Sequence, residues 1–399
     1  MSNVILLIAF DYPPAQNPGA ERTYHFAHYL KTLGWQPVVL TVNANTYGGN
    51  IGNFIDEAHV YRTFCLDVSK HLAYKGKYFG WLKQPDRYVG WLHTAVPKGL
   101  QLIKRFKPKV IWSTYPILTS HCVAYSLSKL TGIPWIADYR DPLQSYYDKK
   151  VYKKERLARW LDKLLVKQSS RIITVTEGAA ELYRCIHHTQ NPEKFLCIGN
   201  GYEPSNLAKV IEKVNKKNRP FELYHGGSLY ETGRNPSALF YAIAHLRNEG
   251  DITKESFLLT LQGMNNQIIY QPLVDKLAIN DFINFAPQVG ASEAIANMMN
   301  ANLLIVVQGK VFNNQIPSKV YEYLATSLPI IALTPRESET AKLLHGQSGC
   351  FCTENSKILS KHIIDLMKTS DEEHYRDTRE YERINRTREL VSVLEQLVE

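Results

Sequence analysis

The feature that most constrains this chain is an alternation. Short, continuous apolar runs at Val4–Phe10, Val38–Val42, Val110–Trp112, Trp135–Ala137 and Ile172–Val175 are separated by stretches with helical spacing. After a polar, lysine-rich interval the same grammar restarts with Phe221–Tyr224, Phe257–Leu261, Phe282–Phe285 and Leu303–Val307. Strands that are apolar without alternation are buried on both faces, which is what parallel sheets covered by helices require. The expected fold class is therefore α/β, two successive doubly wound units. A length of 399 residues agrees with two domains, since single cores stop growing at about 250–300 residues. The interval from Tyr202 to Pro220 has no long apolar run and reads as the connection. The expected domains are 1–203, 204–375, and a charged helical tail, 376–399, packing back on the first unit.

The first apolar run lacks a basic leader and ends in Asp11-Tyr-Pro-Pro, so it reads as a strand and not as a signal peptide. No apolar run approaches the roughly 20 residues of a membrane span. Six cysteines show no CxxC spacing, and Cys350-Phe-Cys352 alone is too little for a metal site or a disulfide framework. A reducing, cytoplasmic setting fits them.

Within the first unit, Asp11 to Ala20 is the loop at the carboxyl end of the first strand, and Glu21 to Leu33 is the helix that follows. Ligands of α/β sheets bind at such loops. Gly19 in this loop serves equally well as a turn or as a ligand contact. Leu92, Val96, Leu100 and Ile103 mark a helix starting or kinking near Pro97, and Lys149 to Arg171 reads as a basic helix. His121, on a helix after Val110–Trp112, and the turn Asp138-Tyr-Arg-Asp141 after Trp135–Ala137 both lie beyond strand ends, where they can face one cleft.

The net charge of +9 is concentrated. Between Lys70 and Lys109 there are ten Lys or Arg and one acid, Asp86, a difference equal to the excess of the whole chain. Tyr74, Tyr78, Phe79, Trp81, Tyr88 and Trp91 are interleaved with these cations. Basic side chains among amphipathic aromatics suit an anionic membrane surface or a large anionic substrate, and a solvated basic face beside core aromatics is the plainer alternative. No nucleic-acid module accompanies the charge, so nucleic acid is not an expected partner.

Lys310 to Leu333 reads as loop, short helix, stop and buried strand. Pro317 enters, Ser318 can cap, Val320 to Ala325 winds, and Pro329 forbids continuation before the β-branched pair Ile330-Ile331. A helix amino-terminus offers N–H groups and partial positive charge to an anion, and Lys319 adds a whole charge. Glu322, one turn in, can accept two hydrogen bonds from a diol such as a ribose. A solvated surface helix is the alternative.

The segments Tyr12-Pro-Pro to Arg22, Gly132-Ile-Pro-Trp-Ile-Ala-Asp-Tyr-Arg-Asp-Pro, Asn200-Gly201, Gly226-Gly-Ser-Leu-Tyr to Arg234 and Pro317-Ser-Lys-Val-Tyr-Glu-Tyr-Leu-Ala, in this order, resemble the retaining glycosyltransferases of family four. The resemblance implies the GT-B fold, two facing Rossmann-like domains with a cleft between them. It also implies a nucleotide-diphosphate sugar as co-substrate, with no other cofactor and no metal, and a saccharide or lipid-linked acceptor. The first domain would be the acceptor side and the second the donor side. Glu322 matches the ribose-holding acid, Arg234 and Lys319 the cations near the diphosphate, and Gly227 and Ser228 the backbone approaching it. His121 corresponds to a histidine aimed at the donor, or is structural. Asp138 and Asp141 would place the acceptor hydroxyl, or cap and pair with Arg140. The family pattern has two glutamates seven residues apart, and here Asn314 stands at the first, an amide that can bond sugar hydroxyls but carries no charge. Retaining hexosyl transfer in surface polysaccharide or glycolipid synthesis, peripheral at the inner membrane face, is the implied activity. A non-catalytic sugar-nucleotide or polyanion binder and a sugar-nucleotide epimerase are the alternatives.

Overall fold

A computed structural model describes residues 3–15, 17–47, 59–72, 74, 75, 77, 79–143, 146, 156–208, 219–264, 266–369 and 372–399. Tyr78 of the basic aromatic stretch, 149–155 of the expected basic helix and 209–218 of the expected connection lie outside them. The chain forms two compact units, Met1–Asn200 with Arg383–Glu399, and Gly201–Glu382.

The first unit is built on a parallel sheet of seven strands: β1 (Asn3–Ile8), β2 (Trp35–Val42), β3 (Val60–Thr63), β4 (Val110–Thr114), β5 (Trp135–Arg140), β6 (Arg171–Thr174) and β7 (Phe195–Cys197), ordered β3-β2-β1-β4-β5-β6-β7. The pleat of β1 explains its unbroken apolar run. Leu6 and Ile8 enter one core with Val123, Ala124 and Leu127, while Ile5 and Leu7 enter the opposite one with Phe26, Leu30, Leu390 and Leu394. Truncating any of the leucines, isoleucines or Phe26 among these to alanine would cost about 2–5 kcal/mol. The helix Pro18–Thr32 begins as its sequence dictates: Asn17 accepts from Ala20 N–H and Pro18 sits in the first turn. The final helix, Arg383–Val398, returns to this unit beside Pro18–Thr32, and Arg383 bonds Glu21 at 3.2 Å.

The second unit has six parallel strands: β8 (Phe221–Gly226), β9 (Phe257–Gln262), β10 (Ile283–Ala286), β11 (Leu303–Val307), β12 (Ile330–Leu333) and β13 (Cys350–Cys352), ordered β10-β9-β8-β11-β12-β13. Two parallel sheets with helices make the chain α/β, each unit Rossmann-like.

Several readings change. The edge strands β3 and β13, four and three residues long, are too short to stand out, and Cys350 and Cys352 prove to be strand residues. The described part of the basic helix is Arg156–Gln168, and the carboxyl-terminal helix starts at Arg383 rather than at residue 376. Residues 372–378 are not helical.

Candidate functional site

In each sheet the strand order reverses once, between β1 and β4 and between β8 and β11. The loops leaving the carboxyl ends of those strands are where open α/β sheets bind ligands. Gly227, Ser228, Arg234 and Asn314 fall on the loops after β8 and β11, and Asp138 and Asp141 lie at the end of β5. Gly19, His121, Lys319 and Glu322 lie instead on the helices that follow β1, β4 and β11, Gly19 in a first turn rather than in the expected loop.

In the second unit β8 ends in His225-Gly226, and an exposed turn at Gly227-Ser228 follows. Gly227 has φ +115°, a conformation side chains other than glycine rarely adopt, while its N–H donates to Gln262 at 2.7 Å. Gly309, after β11, donates to the Gly233 carbonyl at 2.7 Å, and a Cβ on Gly309 would lie 3.3 Å from Gly233 Cα. This close approach ties the two switch-point loops together. Gln308, 1% exposed, shapes the second loop by donating to the Phe312 and Gln315 carbonyls at 2.6 and 2.7 Å.

Lys319 brings its ammonium to the end of β8, where Nζ donates to the Gly226 carbonyl at 2.5 Å and lies 3.2 Å from His225 Nε2. Burial first, then the charge of Arg234, holds this ammonium well below the usual lysine range, against the pull of Glu322. Arg234 stacks its guanidinium over Tyr230 and Phe312, 5.4 and 5.5 Å from the ring centroids, and its buried Nε has no hydrogen-bond partner. Among the described residues neither cation forms an ion pair. Two neighbouring cations without a carboxylate between them make a site whose stable complement is an anion.

Ser318 does not cap. Its backbone is already helical and its side chain makes no cap bond, because the chain enters the helix Lys319–Leu324 without the extended residue that capping needs. The helix has six residues, so the charge expected from its terminus resides instead in Lys319. Glu322 is half-buried one turn in, and Asn314 is half-buried in the preceding loop.

In the first unit, Gly19 packs against Arg140: a Cβ there would be 2.6 Å from Arg140 Nη1 and 3.5 Å from Asp11 Oδ2. Arg140 has φ +61° at a register shift between β5 and β6, and it donates to the Tyr115 carbonyl at 3.1 Å. Burial raises the carboxyl pKa values of Asp11 and Asp141, and Arg140 opposes both shifts. Asp11, Gly19, Arg140 and Asp141 thus gather at the ends of β1 and β5.

Asp138 is not one of this group. It is 0% exposed and receives Arg22 at 2.9 and 3.1 Å and Thr114 at 3.2 Å. Its partner is Arg22 and not Arg140, which corrects the expected pairing: the bend at Arg140 turns that side chain toward Tyr115. His121 is likewise enclosed, at 0% exposure, with Nδ1 2.8 Å from Ser113 Oγ and its ring 4.5 Å from that of Tyr139. Its Nε2 has no hydrogen-bond partner, and burial pushes its pKa down to about 3. Within this unit His121 and Asp138 therefore do not open on a shared surface. Among the described residues no group of three or more His, Cys, Asp or Glu could hold a metal ion.

The sequence reading missed His225, Tyr230, Phe312, Asp11 and Arg140. His225 carried a usable signal, a polar residue directly continuing an apolar strand. The aromatic pair under Arg234 is brought together from positions 230 and 312 by the loop contact, and no local pattern announces it.

The family described as Glycosyl transferase 4-like domain matches residues 19–201. No curated protein matches the chain. Among solved structures, Anabaena Alr3699/HepE in complex with UDP is 13% identical, with a TM-score of 0.63 over 99% of this chain and 100% of that one. A sucrose-phosphate synthase from Thermosynechococcus elongatus is 13% identical, with a TM-score of 0.62 over 100% and 96%. UDP-GlcNAc 2-epimerase from Methanocaldococcus jannaschii is 13% identical, with a TM-score of 0.59 over 99% of each chain. At these identities the likeness is one of fold. Residues 19–201 thus match the glycosyl transferase 4-like domain family, within a chain of GT-B fold.

Proposed function

We propose that this protein transfers a sugar from a nucleotide-diphosphate sugar to an acceptor hydroxyl, with retained anomeric configuration. The observation that carries the reading is the pair of cations, Lys319 and Arg234, which form no ion pair among the described residues, beside the exposed Gly227-Ser228 turn. A diphosphate needs N–H donors, fixed positive charge and little steric bulk. Glu322 would hold the ribose. Lys319 and Arg234 would stabilise the charge that grows on the diphosphate as the bond from the anomeric carbon to the phosphate oxygen breaks. In a same-face reaction the departing phosphate oxygen takes the acceptor proton while the acceptor oxygen bonds that carbon. Asn314 would bond sugar hydroxyls, and Asp141 with Asp11 would meet the acceptor in the first unit. HepE was solved with UDP and with UDP-glucose, which makes uridine donors the first to test.

The exposed run Lys70, Leu72, Tyr74, Lys75, Lys77 and Phe79 supports a lipid-linked acceptor at an anionic membrane face, as in surface polysaccharide or glycolipid synthesis. Co-sedimentation with phosphatidylglycerol vesicles that is lost at high salt is the expected result. Asn314 favours a second reading, a non-catalytic sugar-nucleotide binder, because the negative charge of the family pattern is missing there.

The deciding experiment is thermal stabilisation by a panel of nucleotide-sugars, comparing the parent with Glu322→Ala, followed by transfer and hydrolysis assays with any donor found. A donor-selective shift that the variant loses supports the reading. Absence of any shift refutes it, and binding without transfer or hydrolysis favours the binder.

A further inference from the structure

We propose that the outer face of the helix Arg156–Gln168 is a docking surface for an anionic lipid bilayer; this deepens the membrane-face reading above and rests on it. Ala158, Asp162, Leu165 and Val166 turn inward, whereas Arg156, Trp160, Lys163 and Lys167, at helical spacing, share the exposed face. Trp160 is 60% exposed, and Leu157 beside it 43%. A tryptophan and a leucine among cations make the pattern of a helix lying in a membrane interface, where the apolar groups enter the headgroup layer and the charges meet lipid phosphates. The one acid of the helix is withdrawn from that face. Asp162 is 0% exposed and receives the hydroxyls of Tyr146 and Tyr183 at 2.5 and 3.3 Å, with His187 Nε2 3.1 Å away.

The neighbouring helices carry the same sign. Leu92–Phe106 and Leu118–Thr131 pack into the same core as Arg156–Gln168, through Ala95, Leu102, Val123 and Leu127. They contain Lys98, Lys104, Arg105 and Lys129 and no acid, and Leu130 beside Lys129 is 64% exposed. The three helices thus hold eight Lys or Arg against the single buried Asp162. Acids return at the edge helix Glu177–Ile186, where Arg184 bonds Glu177 at 2.5 Å. On the opposite side of the sheet the cations are met within the unit: Arg383 bonds Glu21 at 3.2 Å, and Arg386 bonds Glu389 at 2.5 Å. Among the described residues, the three basic helices have no exposed acid of their own to do the same. A bilayer rich in anionic lipid supplies the missing charge as an extended plane. It also offers Trp160 and Leu157 an apolar layer, which a soluble polyanion does not. Because Arg156–Gln168 connects β5 to the parallel β6, it runs back against both strands and begins on the side of β5 that carries Asp141. Docking through Trp160 therefore holds the unit by the flank nearest its proposed acceptor residues.

The test is partition of the full chain onto phosphatidylglycerol vesicles at low salt, with phosphatidylcholine vesicles as the reference. Lys163→Gln combined with Lys167→Gln should weaken binding about twenty-five-fold, about five-fold for each charge brought to an anionic surface. Trp160→Phe should bind much as the parent does, yet lose most of the tryptophan quenching produced by brominated acyl chains, since Trp35, Trp91, Trp112 and Trp135 are all 3% exposed or less. The substituted positions are exposed, so the fold should survive, which unchanged circular dichroism would verify. Unchanged binding by the lysine pair, or unchanged quenching in Trp160→Phe, overturns the proposal. If Lys75→Gln with Lys77→Gln abolishes binding where the helix pair does not, the membrane reading survives on that run and the assignment to this helix falls. If the parent binds no anionic vesicle, or binds heparin and no vesicle, both fall, while the donor panel still judges sugar transfer on its own.

Discussion

Arg22 in the first unit and Lys319 in the second are both cations beside the end of a parallel strand, and they are treated in opposite ways. Arg22, 3% exposed, grips Asp138 through two nitrogens and adds the carbonyls of Ile198 and Gly199, each at 3.0 Å. Every part of that charge is satisfied inside the unit. Among the described residues Lys319 meets a carbonyl and an imidazole, its neighbour is a second cation, and Glu322 pulls its pKa up against burial. Breaking a buried pair exposes its cost, whereas a buried cation left unpaired is itself a cost that an incoming anion relieves. The first arrangement holds a fold together and the second, on the proposed function, holds a place for a ligand.

The comparison breaks most visibly at Arg22. Arg22→Ala leaves the Asp138 carboxylate buried without its partner and should cost about 3–5 kcal/mol of stability, read from chemical denaturation followed by fluorescence. A loss below about 1 kcal/mol would mean that Asp138 finds water or protonates cheaply, and that the pair is not the brace described.

Lys319→Ala should do the reverse. It leaves stability unchanged or raised, while diphosphate affinity falls by about 1.5–3 kcal/mol. The pH dependence follows from the depressed lysine pKa. Between that value and the 10.5 of an ordinary lysine, the unfolded chain binds a proton that the folded chain does not, so stability rises with pH across this window. Lys319→Ala abolishes that rise. An anion restores the proton to the folded site, so affinity falls as pH rises through the same window, and Lys319→Arg should flatten that fall. An unchanged stability profile in Lys319→Ala would place the strained charge elsewhere.

The two buried histidines sharpen the contrast further. His121, held to about 3 against an ordinary 6.5, stays neutral when the unfolded chain protonates. Its contribution is therefore intact above about 6.5 and is lost toward 3, at about 1.4 kcal/mol per pH unit. His121→Leu should flatten the acid limb of the stability curve by that slope. A variant that keeps the slope but loses turnover would return His121 to the reacting centre.

These contrasts also mark what the sequence could say. Strands such as β1 and β11 were legible because burial on both faces forces an unbroken apolar run, whereas β3, with Val60-Tyr61-Arg62-Thr63, has no such run. The glycine turn after β8 and the Lys319-Glu322 spacing were legible as chemistry because they are local. The partner of Asp138 was not, since Arg22 lies 116 positions away, and Arg140, the nearer cation, is turned aside by a left-handed backbone that spacing does not reveal. His225 escaped because its contact with Lys319 joins positions 94 residues apart.

The smallest effect tests whether the entry to the Lys319 helix is built for stability or for placement. Ser318 and Ser338 each precede a six-residue helix, but only Ser338 accepts from the backbone three residues on, Ala341 N–H at 3.0 Å. Ser338→Ala should therefore cost about 1 kcal/mol, the usual worth of a cap, and Ser318→Ala less than about 0.5 kcal/mol, as at an ordinary surface position. Matched denaturation curves would read both. Equal losses would mean that Ser318 caps in solution, and that the helix end, beside Lys319, contributes aligned N–H groups to the anion site after all.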